Sequence, residues 1–302
     1  MVVISRFRSL WGVEPGPQQS EWKQKFIEWK AHGYAGIEID FAGMGPEELQ
    51  LLRSICDEVG LETSVTLFSS WPKYVGRRPS GLTPDDHAKF FRSQLRLASI
   101  LKPVRVNAQS GADHFSWDDS VAFYKKALQV EKEEGFHGRV CHETHRNRSL
   151  FNPYAADYIL QKVPELTITA DISHWVVVSE RLLDNNAEDK EILKRVIPRV
   201  GHIHTRIGTT QASQCPEPLN PAFAEERAFF EKFWLDIVKH KQQTDPSCRL
   251  TFPCYITAEI RLMLFCPRPF PYHPIGTAQS HGDLADSEGA RLERLFKGAV
   301  GQ

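Results

Sequence analysis

Residues 35–60 read AGIEIDFAGMGPEELQLLRSICDEVG, and they hold one unit of the fold. AGIEID is short, apolar and β-branched, as a buried strand is. A polar junction follows, and then Leu49, Leu52, Ile55 and Val59 fall on one helical face. Pro46 suits a first helical turn and Gly60 a C-terminal cap.

The same unit recurs in both directions along the chain. Upstream, VVISRF precedes SEWKQKFIEWKAHG, where Trp22, Phe26 and Trp29 align and Gly33 stops the helix. Downstream, LETSVTLF (61–68) leads to a helix that Thr83 caps, Pro84 opens and Phe91, Leu95, Ala98 and Leu101 stripe. PVRVNAQ (103–109) precedes a helix with Ser116 and Asp119 as a capping pair. GRVCHE (138–143) leads to a helix over 153–162, LTITAD (166–171) to one over 187–196, and RVGHIH (199–204) to one over 222–242. CYITAE (254–259) leads, after an unusual loop, to the C-terminal ADSEGARLERLFKGAV. Strands alternating with helices imply a parallel sheet, and eight such units imply a closed (β/α)8 TIM barrel. No G-x-G-x-x-G follows the first strand, which argues against a doubly wound sheet. A single domain over 1–302 is expected, with an atypical loop at about 260–283.

The chain has 302 residues and a formal net charge of −1. That balance offers no clustered cation for nucleic acid, so no nucleic-acid partner is expected. No apolar run approaches the roughly 20 residues of a membrane span, and the N-terminus lacks a signal-peptide core. A cytoplasmic protein is expected, with a small-molecule substrate; a homo-oligomer is compatible with the sequence. The six cysteines form no C-x-x-C pair and are expected as free thiols, mostly buried.

In a barrel of this kind, chemistry gathers at the carboxyl ends of the strands. There the sequence places Glu38 and Asp40, then Asn107 and Gln109, then Glu143 and His145. Asp171 and His174 follow, then His202, His204 and Arg206, and finally Glu259. Strand alternation puts Glu143 and His145 on one side and His142 on the other; His202 and His204 share a side. Buried carboxylates repel each other unless a cation holds them, so a metal site is expected. Oxygen and nitrogen ligands without thiolate point to one divalent ion: Mn, Mg, Co or Zn. Arg146 and Arg148 read as loop or oligomer salt bridges, although one could grip an anionic substrate.

At HETHRNR, TADISHW, GHIHTRIG and ITAE the chain resembles the xylose-isomerase-like TIM barrels, which include sugar epimerases, isomerases and related lyases. The resemblance runs from GYAGIEID to the eighth strand. It implies Glu143, Asp171, His204 and Glu259 as metal ligands, with Glu143 and Glu259 also moving the substrate proton. It implies His174 as a substrate contact; His145, Arg206 and Glu38 join it as substrate-binding residues on their strand-end positions. The implied function is a metal-dependent isomerase or epimerase working through an enediolate on a sugar or related hydroxy-carbonyl compound. The alternatives are a lyase or dehydratase of a keto-sugar or cyclic keto acid, and an impaired binding barrel. An AP-endonuclease-like phosphodiesterase would want a basic face that the charge balance lacks.

Two departures stand out. Epimerases of the family place an arginine six residues after the metal histidine, where this chain has Thr210. After TAEI the chain runs into RLMLFCPRPFPYHP, so the expected Pro-Tyr comes about a dozen residues late. That reads as an inserted loop or a retained intron, directly behind Glu259.

Overall fold

A computed structural model describes residues 1–10, 19–215, 218–254 and 281–302. Eight parallel strands close into a barrel in sequence order, so the expected (β/α)8 architecture is present. They are β1 (Val3–Ser9), β2 (Gly36–Asp40), β3 (Glu62–Phe68) and β4 (Arg105–Gln109), then β5 (Val140–Glu143), β6 (Ile168–Ala170), β7 (Val200–Ile203) and β8 (Arg249–Pro253). The helices that return the chain include α1 (Trp22–Ala31), α2 (Pro46–Val59), α3 (Pro84–Ala98) and α4 (Trp117–Glu133). After them come α5 (Pro153–Lys162), α6 (Ser173–Ser179), α7 (Ala187–Val196), α8 (Ala224–Thr244) and α9 (His281–Ala299).

Local chemistry explains the boundaries. Thr83 and Asp86 form a reciprocal capping box at α3, and Ser116 Oγ accepts from Asp119 N at α4. Gly60 ends α2 in the left-handed conformation, where a Cβ is disfavoured. Trp22, Phe26 and Trp29 face the core as the stripe of α1 requires. Gly36 is needed for a different reason. A Cβ there would stand 2.4 Å from the Glu62 carbonyl oxygen and 2.5 Å from the Phe7 ring.

Two elements differ from expectation. The eighth strand begins at Arg249, five residues before CYITAE, because α8 ends at Thr244 and a short turn starts the return at once. Thr205 and Cys254 form an isolated bridge beyond it; residues 255–259, the rest of the expected strand, lie outside the described residues. The short helix α6 lies between LTITAD and the helix over 187–196, where no helix was expected. Cys56, Cys141, Cys215, Cys248 and Cys254 are free thiols, and Cys266 lies outside the described residues. Among the described residues, no helix is long and apolar enough to cross a membrane.

Polar groups are also buried behind the barrel wall. His87 of α3 is 1 % exposed, within 2.9 Å of Ser69 Oγ and edge-on to Phe115 and Phe123. Burial, aided by the Arg148 charge, pushes it down to about 4. Between pH 4 and 6.5 the unfolded chain therefore binds the extra proton, and stability rises with pH. The contribution is complete above about pH 6.5 and is lost as pH falls towards 4, about 3 kcal/mol in all. Urea unfolding should show a loss of about 2 kcal/mol from this residue between pH 7 and pH 5. His87→Gln should flatten that difference; an unchanged difference would assign the acid sensitivity elsewhere.

Candidate functional site

Strand alternation carries three acidic or imidazole side chains to one point. Glu143 ends β5, Asp171 follows β6 and His204 follows β7. Glu143, Asp171 and His204 are each at most 2 % exposed. His204 Nδ1 faces the two carboxylates, 3.5 Å from Glu143 Oε1 and 3.7 Å from Asp171 Oδ2. One ligand atom from each of the three residues lies within 4.8 Å of the others.

Each carboxylate has one oxygen held and one turned to that point. Asn107 Nδ2 of β4 donates to Glu143 Oε2 at 2.7 Å. Ser173 Oγ donates to Asp171 Oδ1 at 2.5 Å, while buried Asp171 Oδ2 has no hydrogen-bond partner. Such an atom is costly to leave bare. Two carboxylates and an imidazole, with one Asp171 oxygen that no hydrogen bond holds, suit a hard or borderline divalent cation. Burial alone would raise the carboxyl of Glu143; the charges of His145 and His204 outweigh it and hold the group low. Asp171 is likewise held low against its burial, by Arg206 and His204. His204 is driven well above its usual value, because Glu38 and Glu143 overcome its own desolvation.

The other expected residues surround this point. Arg206 is 6 % exposed, with Nη2 3.3 Å from Asp171 Oδ2. His174 of α6 is 1 % exposed, and its Nε2 stands 3.8 Å from Asp171 Oδ2 without a hydrogen bond. Arg146 Nε donates to His174 Nδ1 at 3.0 Å, so the ring keeps its proton on Nε2. Burial pushes His174 well down, so it is neutral at pH 7. His145 packs against His174 with ring centroids 3.9 Å apart and stacks on Tyr74. Burial pushes His145 down to about 4. Glu38 is turned onto His202, His204 and Ser64. Glu259 and the loop at 260–283, up to residue 280, lie outside the described residues.

The arginines after β5 make side-chain and backbone hydrogen bonds among the described residues. Arg146 reaches His174 and Ser213 Oγ. Arg148, 1 % exposed, donates to the carbonyls of Ser70 and Trp71 and lies over the Tyr74 ring. It thereby anchors a loop in which Trp71, Lys73 and Tyr74 all have positive φ. That loop brings the Tyr74 hydroxyl within 2.9 Å of His145 Nδ1 and onto Gln109. Tyr74 carried no sequence signal, because its partners are 35 and 71 residues away. His142, as alternation requires, faces outward to Ser110 and Glu131.

No protein-family model matches the sequence, and no curated protein matches it. Solved structures do. The chain is similar to L-ribulose 3-epimerase at 13 % identity and TM-score 0.61, covering 99 % of this chain and 96 % of that one. It is similar to the IolI protein with a binding zinc atom at 14 % identity and TM-score 0.54, covering 99 % and 98 %. It is also similar to the probable 3-DHS dehydratase AsbF from Bacillus anthracis at 13 % identity and TM-score 0.53, covering 97 % and 98 %. The shared fold is a closed (β/α)8 barrel. At such identities the likeness speaks for the fold, and the chemistry must be argued from the residues.

Proposed function

We propose that this protein is a divalent-metal-dependent isomerase or epimerase of a sugar or related hydroxy-carbonyl compound. The observation that carries the reading is the buried convergence of Glu143, Asp171 and His204 around an Asp171 oxygen that has no hydrogen bond. The similar IolI protein was solved with a binding zinc atom, in keeping with a metal-binding barrel. Glu143, Asp171 and His204 would hold the ion, joined by Glu259 if the family pattern extends to it. When bound, it supplies a positive charge that polarises a carbonyl and stabilises negative charge developing on its oxygen.

The chain's own groups do the rest. Glu143 removes the proton on the carbon beside the carbonyl: the C–H bond breaks, its electrons form the enediolate, and the proton goes to a carboxylate oxygen. Asn107, donating to Oε2, sets which oxygen faces the substrate. His174, neutral and protonated on Nε2, donates a hydrogen bond to a substrate oxygen. Arg206 places a second positive charge beside the site, and His145 with Tyr74 forms one wall. Return of a proton from Glu259 to the opposite face gives epimerisation; return to the neighbouring carbon gives isomerisation. Thr210 stands where the epimerases have an arginine, so the substrate grip differs from theirs.

A lyase is the second reading, favoured by likeness to a probable dehydratase. On this chain the enediolate would re-form the carbonyl conjugated to a new C=C bond as the β-C–O bond breaks, and the hydroxyl would leave as water with the proton that Glu143 took up. Protein loaded with Mn, Mg, Co or Zn and given ketoses and cyclic keto acids in D2O should incorporate deuterium beside the carbonyl. Glu143→Gln should lower that incorporation by 10²-fold or more. Loss of water from the product would select the lyase. Wild-type protein that holds no divalent metal would sink both readings and leave a binding barrel.

A further inference from the structure

Behind His204, on the side away from Glu143 and Asp171, a closed row of polar side chains crosses the barrel interior. Glu38 of β2 puts Oε1 3.3 Å from His204 Nε2. Its Oε2 accepts from Ser64 Oγ of β3 at 2.8 Å and lies 2.8 Å from His202 Nε2. His202 Nδ1 is in turn 2.6 Å from Thr251 Oγ1 of β8. Glu38, Ser64, His202 and Thr251 are each at most 2 % exposed. Four strands therefore contribute one buried side chain apiece to a row that ends on the imidazole of His204.

The spacing separates this row from the ligand cluster. Glu38, His202 and His204 also bring ligand atoms within 4.8 Å of one another. Yet Glu38 Oε2 and His202 Nε2 are already at hydrogen-bond distance, 2.8 Å. Glu143 and Asp171 stand 3.5 and 3.7 Å from His204 Nδ1, too far for a good hydrogen bond. Glu38, Ser64, His202 and Thr251 are joined by direct hydrogen bonds, and His204 Nε2 stands at ion-pair distance from Glu38, whereas the cluster has room for an ion between its members.

We infer that Glu38 is a positioning residue: it accepts the Nε2 proton of His204 and so presents Nδ1 towards Glu143 and Asp171. The inference rests on the metal reading above. An imidazole that binds a cation through Nδ1 must carry its proton on Nε2. Buried without an acceptor, that N–H would be an unsatisfied donor. A carboxylate acceptor satisfies it, locks the ring's rotation and makes the other nitrogen a better ligand. Ser64 and His202 hold the carboxylate in place, and Thr251 sets the His202 tautomer by leaving Nε2 to donate. Glu38 acts through His204 and does not itself touch substrate.

The test compares wild type, Glu38→Gln and Ser64→Ala by zinc titration against a competing chelator, with thermal unfolding of each metal-free protein alongside. Glu38→Gln keeps the shape and removes the charge; zinc affinity should fall about 10–100-fold, as for other partners of metal-bound histidines. Ser64→Ala removes one donor to Glu38 and should lower affinity by a smaller factor. In zinc-loaded protein labelled with ¹⁵N-histidine, the His204 Nε2–H resonance should lie downfield in wild type and move upfield in Glu38→Gln. A merely structural loss would not move that resonance. Wild-type zinc affinity and an unmoved resonance in Glu38→Gln would overturn the inference while leaving the metal reading intact. Wild-type protein that binds no zinc would overturn both. If Glu38→Gln does not fold, Ser64→Ala decides: wild-type affinity together with an unshifted resonance rejects the inference.

Discussion

Replacing Asp171 by asparagine is expected to lower affinity for a divalent cation by at least a hundredfold, about 2.7 kcal/mol. The change is nearly isosteric, so shape is kept while one negative charge leaves a buried cluster. Asp171 is 0 % exposed and its Oδ2 has no hydrogen bond, only the ion-pair approach of Arg206. An amide in its place still accepts from Ser173 but offers a cation only a dipole. Arg206, whose Nη2 is 3.3 Å from Oδ2, would also lose its counter-charge and lie nearer in energy to repelling the ion. Isothermal titration with manganese, wild type against Asp171→Asn, measures this directly. Affinity within threefold of wild type would mean that the cation binds elsewhere.

The second large effect is on stability. Trp175 follows His174 on α6, is 0 % exposed, and donates from Nε1 to the Leu150 carbonyl at 2.8 Å. Trp175→Ala should cost about 4 kcal/mol from the lost burial and the cavity, and about 1 kcal/mol more for the orphaned carbonyl. Trp175→Phe retains most of the ring and should cost about 1–2 kcal/mol. Chemical denaturation gives both values. An alanine variant within about 1 kcal/mol of wild type would show that α6 is held by other contacts. Because α6 also carries His174, the alanine variant should lose turnover on any substrate that the wild type accepts.

Glu143, Asp171 and His204 were legible because the chemistry of a parallel barrel collects at strand ends, and strand ends are local features. The same alternation separated His142, which faces outward to Glu131, from Glu143, which faces in. The caps at Thr83 and Ser116 were equally local, each closing over three residues. His174 stood out only through the resemblance, since a lone histidine beyond a strand has many ordinary uses.

What lay outside that reach depends on distance along the chain. The start of β8 was displaced because RLTFP and CYITAE are both strand-like, and only pairing with β1 and β7 chooses between them. Arg148 read as a loop or oligomer salt bridge, and its burial follows from where the loop after β3 comes to rest. Tyr74 reaches His145 across 71 residues, and Glu38 reaches His202 across 164. By itself, the sequence determined the alternation of strands and helices, their caps and the acidic and imidazole residues at the strand ends, because each depends on neighbours within a turn or two. Only the tertiary structure decided which of those residues face one another across the barrel, which carboxylate oxygen is left without a hydrogen bond, and which nitrogen of His204 meets Glu38. Those depend on barrel closure, which brings β1 and β8 into register and lets side chains of β2 meet those of β7 across the interior.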